Sequence, residues 1–192
     1  MLDAIHELKV RAEILHKRVQ VGDTRAFARL RILPEFRGLS GEDLAKTAPV
    51  IRRRRCLAVV ATELGFTDWE QARRVLLGEG SITDFGTLLC PQRCSVHINP
   101  WYKRYEEAAA ARQRSKGYLL AHRRHYLVVD RFYIVTLGLD PDDTDWQAMG
   151  FDWARPRNHA ARSRLYAKLI AALPRDAAVS VCLSPSVLKA RE

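Results

Sequence analysis

Apolar residues at Ile5, Leu8, Ala12, Leu15 and Val19 recur at steps of three and four, the period of an α-helix with one dry face. Such a helix must bury that face against neighbours, so the chain around it is constrained to supply them. Gly22 ends this first helix, and Asp23 or Thr24 caps a second that carries Ala26, Phe27 and Leu30 and stops at Pro34. Ser40-Gly-Glu-Asp43 approximates a capping box for a short third helix around Leu44. Pro49 starts a fourth that runs through Leu64, with Gly65 at the left-handed stop position. Thr67-Asp-Trp-Glu70 forms a capping box for a fifth, which ends at Gly78. Residues 1–78 are thus expected to be an all-helical unit.

Residues 79–192 form a second, α-rich part with short strands. Gly80, Ser81, Gly86 and Pro91 mark an irregular connection with one short strand near Thr87–Leu89. Asn99-Pro100 pairs an N-cap with a Pro at the first helical position and predicts a helix to about Ser115, broken by Gly117. A strand is expected from about Arg124 to Val129. Asp130 caps a short helix ending at Gly138, and Asp142 or Asp143 caps another ending at Gly150. Asn158 opens a last helix with Ala161, Leu165, Leu169 and Leu173 as its buried row; beyond Pro174 the tail has a strand-like centre and a mobile end.

Composition narrows the classes of function. Lys and Arg number 32 against 22 Asp and Glu, a net charge of +10, which favours polyanions such as nucleic acid through counterion release. Residues 93–124 are base-rich, whereas residues 130–152 hold aspartates against Arg131 alone. No run approaches the roughly 18 apolar residues of a membrane helix, so no membrane partner is expected. The amphipathic, acid-bearing N-terminus argues against a signal peptide, and four cysteines are too few for a disulfide scaffold; both point to a reducing, cytoplasmic setting.

The fourth and fifth helices, VIRRRRCLAVVATELGFTDWEQARRVL, form a helix-turn-helix-like pair over residues 50–78. Gly65, Phe66, Thr67, Asp68, Arg74 and Val75 resemble the motif of AraC-type transcriptional regulators, with Ala72 where that family usually has an aromatic. Leu8, Lys9 and Ala12 followed by Gly65, Phe66 and Trp69 resemble a helical leader found ahead of some bacterial ankyrin-repeat and glyoxalase-like proteins. That resemblance covers about residues 5–78, implies a bacterial protein and carries no assigned activity. With Trp69, Ala72 and Leu76 inward, Gln71 and Arg74 face out as base-reading side chains, while Asp68 and Glu70 would repel phosphate. Residues Arg52 to Arg55 form a collar at a helix N-terminus. Arg52 and Arg55 point outward, while Arg53 and Arg54 snorkel or pair with acids such as Asp43 or Glu63. Four cations there oppose the helix dipole, and an anion would relieve them.

Cys90, Cys94 and His97 are zinc-ligand types without the usual two-residue spacing, and a fourth ligand must come from Cys56, His122, His125 or Cys182. Cys94 with His97 and Arg93 would be the one thiol-nucleophile candidate. The aspartates of residues 140–145 lack the Gly and Glu of a calcium loop, and read as a capped turn with Trp146 and Trp153 as core anchors. No phosphate-binding Gly loop, HExxH or GxSxG occurs. Trp101, Tyr102, Lys103, Arg104 and Tyr105, leading on to Arg112, Arg114, Lys116 and Tyr118, interleave aromatics with bases, which suits stacking on single-stranded nucleic acid. On a helix, however, Trp101 and Tyr105 share one face and enter the core, leaving Lys103 and Arg104 solvated.

The expectation is therefore a mainly α protein, its helical N-terminal unit packed on an α-rich second part with a few short strands. Its expected role is non-enzymatic DNA binding through Arg52, Arg55, Gln71 and Arg74, with Arg112 and Arg114 as a secondary surface. The alternatives are a metal or enzymatic protein centred on Cys90, Cys94, His97 and His125, with zinc as cofactor, and a protein-interaction module.

Overall fold

In the computed structural model, which describes residues 3–79 and 82–175, the chain is mainly α with one small antiparallel sheet. Helix α1 (Ala4–Gln20) begins where the Asp3 carboxylate accepts from Ile5 N–H, and it buries Ile5, Leu8, Ala12, Leu15 and Val19 as their spacing demands. Helices α2 (Thr24–Leu30) and α3 (Gly41–Thr47) start at the expected caps, Asp23 and the Ser40–Asp43 box. Helix α4 spans Arg53–Glu63, not the longer segment from Pro49. Pro49 lies instead in a separate 3-10 turn, Ala48–Val50, because Ile51 is extended and breaks the helical path. Helix α5 (Trp69–Leu77) is capped one residue later than the box predicts, at Asp68.

The connection to the second part departs most from expectation. Residues 87–89 are no strand: Cys90 N–H closes a tight turn onto Thr87 O, and Leu88 and Leu89 are buried. A 3-10 turn covers Gln92–Val96. The helix predicted from Asn99 begins only at Tyr105, as α6 (Tyr105–Ser115). Residues 101–102 are claimed by the sheet as β1 (Trp101–Tyr102), and Pro100 O accepts from Val128 N–H.

Strands β2 (Tyr118–His122) and β3 (His125–Val129) form a hairpin, and the sheet order is β1-β3-β2. Trp101 stands opposite Leu127, and His122 opposite His125. The outer edge of β2 is covered, since Leu119 N–H donates to Phe151 O and Trp153 N–H to Leu119 O. One face of the sheet gives Tyr118, Leu120, Leu127 and Val129 to the main core, and the other packs Leu119 and Val128 on Ala108 and Ala111 of α6. Helices α7 (Arg131–Leu137) and α8 (Thr144–Met149) follow, capped by Asp130 and Asp143. Helix α9 (His159–Ala172), capped by Asn158, lies against α1, α5 and α8.

The main core runs unbroken from Ala4 to Leu173 and holds the aromatic series Tyr118, Trp146, Trp153 and Tyr166, each ring about 5 Å from the next. Arg11 stands on the buried side of α1 and donates to Ile170 O and Leu173 O, closing the carbonyl end of α9. The predicted tail strand lies outside the described residues. No helix among the described residues is long and apolar enough to cross a membrane.

Candidate nucleic-acid interface

The arginine run opens α4. Arg52 is its N-cap residue and makes no side-chain cap, and the first turn itself holds no acid but a run of cations. Arg53 pairs with Glu13 at 3.3 Å, and Arg55 with Glu35 at 3.1 Å. Both pairs are about half exposed and therefore weak. Asp43 and Glu63 are not their partners, because Glu63 is buried against Arg29, at 2.7 Å. Arg52 and Arg54 are exposed and have no carboxylate partner among the described residues. An open cleft of about 550 Å³ adjoins the turn, lined by His16, Gln20 and residues 49–53. Its walls are fixed: His16 Nε2 lies 2.9 Å from Ile51 O, and the Gln20 amide donates to Ala48 O.

Helix α5 carries the other two expected contacts, and Gln71 is not free to read a base. Its Oε1 accepts from Thr67 N–H at 2.5 Å and its Nε2 donates to Asp84 O at 3.3 Å, which ties the helix start to the next segment. Arg74 is exposed. Arg73 is clamped between Glu70 and Glu79, and its hydrogen bonds hold the Glu70 carboxyl below the usual range. Helix α4 is about 16 Å long, and the arginine turn sits at the end away from α5. Arg52 and Arg55 thus belong to the opening of α4, whereas Gln71 and Arg74 stand on α5, beyond the turn at Gly65.

The secondary pair divides as well. Arg112 donates from Nε to Gly117 O and lies 5.2 Å from the Phe151 ring centroid. Arg114 is exposed and lines an open cleft of about 770 Å³ with Lys116, Tyr102, Asp130 and Arg131.

Cys90, Cys94, His97 and His125 do not assemble as ligands, for among the described residues no three His, Cys, Asp or Glu side chains could hold a metal ion. His97 Nε2 lies 2.8 Å from Thr136 Oγ1, with its ring on Tyr133. His125 faces His122 across the hairpin. Cys182 lies outside the described residues. The thiol-nucleophile reading fails also: burial pushes the Cys94 thiol up to about 11, and the Arg93 guanidinium is spent on Thr136 O and Leu137 O. The aspartates of residues 140–145 do form a capped turn. Asp140 accepts from Asp142 N–H, Asp143 caps α8, and Asp145 binds Arg164 and Lys168.

Trp101 is neither helical nor in the core; it is 43% exposed on β1. Arg123 and Arg124, the hairpin turn beside it, were not singled out by sequence reasoning. The adjacent pair of arginines between two apolar, β-rich runs was the available signal.

Fold and surface together define a mainly helical protein with a small sheet, whose unpaired cations are spread over several elements. No family model matches the chain, and no curated protein or solved structure matches it either.

Proposed function

We propose that this is a non-enzymatic, cytoplasmic nucleic-acid-binding protein, and that the first turn of α4 is its phosphate contact. The observation that carries the reading is the uncapped N-terminus of α4, which presents Arg52 and Arg54 without carboxylate partners among the described residues. A phosphate there would accept from backbone N–H groups and relieve the repulsion between the arginines and the helix dipole. Helix α5 is not the reading element, since Gln71 is engaged and Asp68 and Glu70 stand at its entry. Contacts confined to phosphate position a duplex without reading its sequence.

The test is fluorescence anisotropy of a labelled duplex with the full chain across a salt series. Expected are binding at about 50 mM salt, little preference among duplex sequences, and a log–log salt slope shallower by about 0.9 for each arginine removed in Arg52→Gln/Arg54→Gln. No binding at low salt, or a slope the double substitution leaves unchanged, would overturn the reading.

A second reading, a protein-interaction module, has its own observation. Val96, Ile98, Phe132 and Val135 are exposed, and the contact between His97 and Thr136 brings the two segments together. Self-association in sedimentation velocity that Ile98→Ser/Phe132→Ser abolishes would favour it.

A further inference from the structure

The turn of the β2–β3 hairpin is Arg123-Arg124, and Arg123 holds φ at +51°. A two-residue hairpin turn with left-handed backbone favours Gly or Asn, and an L side chain there adds strain. The backbone of Arg123 is pinned on both sides. Its N–H donates to Gly86 O at 2.7 Å, and its C=O accepts from Phe85 N–H at 3.0 Å. The Arg123 side chain, by contrast, is exposed and makes no ion pair or hydrogen bond among the described residues; the same holds for Arg124. An arginine therefore occupies a glycine-like position, on a firmly seated tip, with no structural return from its guanidinium.

The surroundings supply a partner for it. Strand β1 pairs antiparallel with β3 and runs toward the tip, with Trp101 opposite Leu127 and Tyr102 opposite Tyr126. Lys103 and Arg104 follow in the bend between β1 and α6, both exposed. Arg104 reaches Glu107 only at 3.8 Å, and Lys103 has no ion partner among the described residues. Trp101 is held edge to face on His122, with ring centroids 5.4 Å apart, and is 43% exposed. The nearby carboxylate of Asp84 turns its Oδ1 to Gly86 N–H.

We infer that this tip is a binding site for single-stranded nucleic acid, with Trp101 stacking an unpaired base and Lys103, Arg123 and Arg124 contacting the flanking phosphates. The inference rests on the proposed nucleic-acid function but names a different strand state and a different surface from the α4 turn. A single strand is favoured over a duplex because an exposed indole needs a free base face, which a stacked duplex does not offer. Arg123 directly follows His122, on which the indole is held, and Lys103 stands two residues after Trp101, so a nucleotide stacked on the ring would carry its backbone toward these cations.

The test uses the full chain, a labelled oligothymidylate of about 20 nucleotides and a duplex of matched length. Trp101→Ala should weaken oligonucleotide binding about tenfold or more, and Trp101→Phe should restore much of it. Arg123→Gly/Arg124→Ser should flatten the salt slope by roughly 0.7 per arginine while leaving thermal stability equal or higher, because glycine relieves the turn. The inference is overturned if these variants bind the oligonucleotide like the parent while Arg52→Gln/Arg54→Gln weakens binding; the nucleic-acid function then stands without the tip. Binding of neither nucleic acid at about 50 mM salt overturns both.

Discussion

Gly65 joins α4 to α5 at φ +85°, and the segment after α5 is packed directly onto it: Thr87 N–H donates to Gly65 O at 2.9 Å. A Cβ at Gly65 would overlap Thr87 Oγ1 outright and lie 3.1 Å from Thr87 Cβ and 3.2 Å from its backbone N. Gly65→Ala therefore carries two costs. The left-handed backbone of an L-residue contributes about 1 kcal/mol, and overpacking against a buried neighbour adds about 1–3 kcal/mol. A loss of about 2–4 kcal/mol is expected from urea unfolding followed by circular dichroism, with the denaturant slope unchanged. Thr87→Ala removes the Oγ1 overlap but neither the backbone strain nor the Cβ contact. In the double variant the two losses should thus fall short of additivity by about 1 kcal/mol or more. A free, solvated helix-turn-helix bend would show only the backbone cost and no coupling to Thr87. A loss below about 0.5 kcal/mol for Gly65→Ala, or strict additivity, would refute the packed turn.

Three further outcomes follow from named contacts. Arg29→Met strands the buried Glu63 carboxylate and should cost about 3–5 kcal/mol, whereas adding Glu63→Leu should recover much of it, as read from urea midpoints. Burial, with Arg123 and His125 nearby, pulls the His122 pKa down from 6.5 to about 4, against a smaller opposing pull from Asp84. The unfolded chain then takes up a proton that the folded one refuses, so stability should fall as pH drops from about 6.5 to about 4, and His122→Phe should remove that part of the decline. Zinc analysis of chelator-free protein should find well under one metal per chain, unchanged in Cys90→Ser, because His97 is committed to Thr136 and no three ligand side chains come together among the described residues; equimolar zinc lost with that substitution would overturn the arrangement.

What was legible in the sequence is what is decided locally. The stripe of α1, the Asp23, Ser40, Asp130 and Asn158 caps and the Gly78, Gly138 and Gly150 stops need only neighbours within a turn of helix. The region from 79 to 104 resisted because distant partners shape it. Thr87 bonds to Gly65, Pro100 to Val128, and the Asn99-Pro100 pair loses its helix to a strand that forms only once β3 is beside it. The same limit fell on the site. The charge of Arg52–Arg55 was readable, but their partners Glu13 and Glu35 come from elements far away in sequence. Gln71 looked outward on a helical wheel, yet its amide is used by Thr67 and Asp84. Trp101 changed from a core residue to an exposed one when its helix became a strand.

Net charge also means less than its value implies, because many arginines here do structural work on carbonyl groups. Arg11 closes α9, Arg93 closes α7, Arg162 donates to Trp153 O, and Arg31 and Arg112 donate to Leu39 O and Gly117 O. A carbonyl satisfies a guanidinium's hydrogen bonds without cancelling its charge, so Arg93, Arg162, Arg31 and Arg112 add to the +10 while being committed to the fold, whereas Arg11 is also paired with Glu7. Arg11 and Arg162 are buried besides, and cannot touch a polyanion at all. If the proposed function holds, the charge that matters is the smaller set whose side chains hold nothing in place, which includes Arg52 and Arg54 at the start of α4, Lys103, Arg123 and Arg124 around the hairpin tip, and Arg74 and Arg114 elsewhere. These sit at ends and turns of elements, where a cation can meet a phosphate without giving up a contact that the core requires.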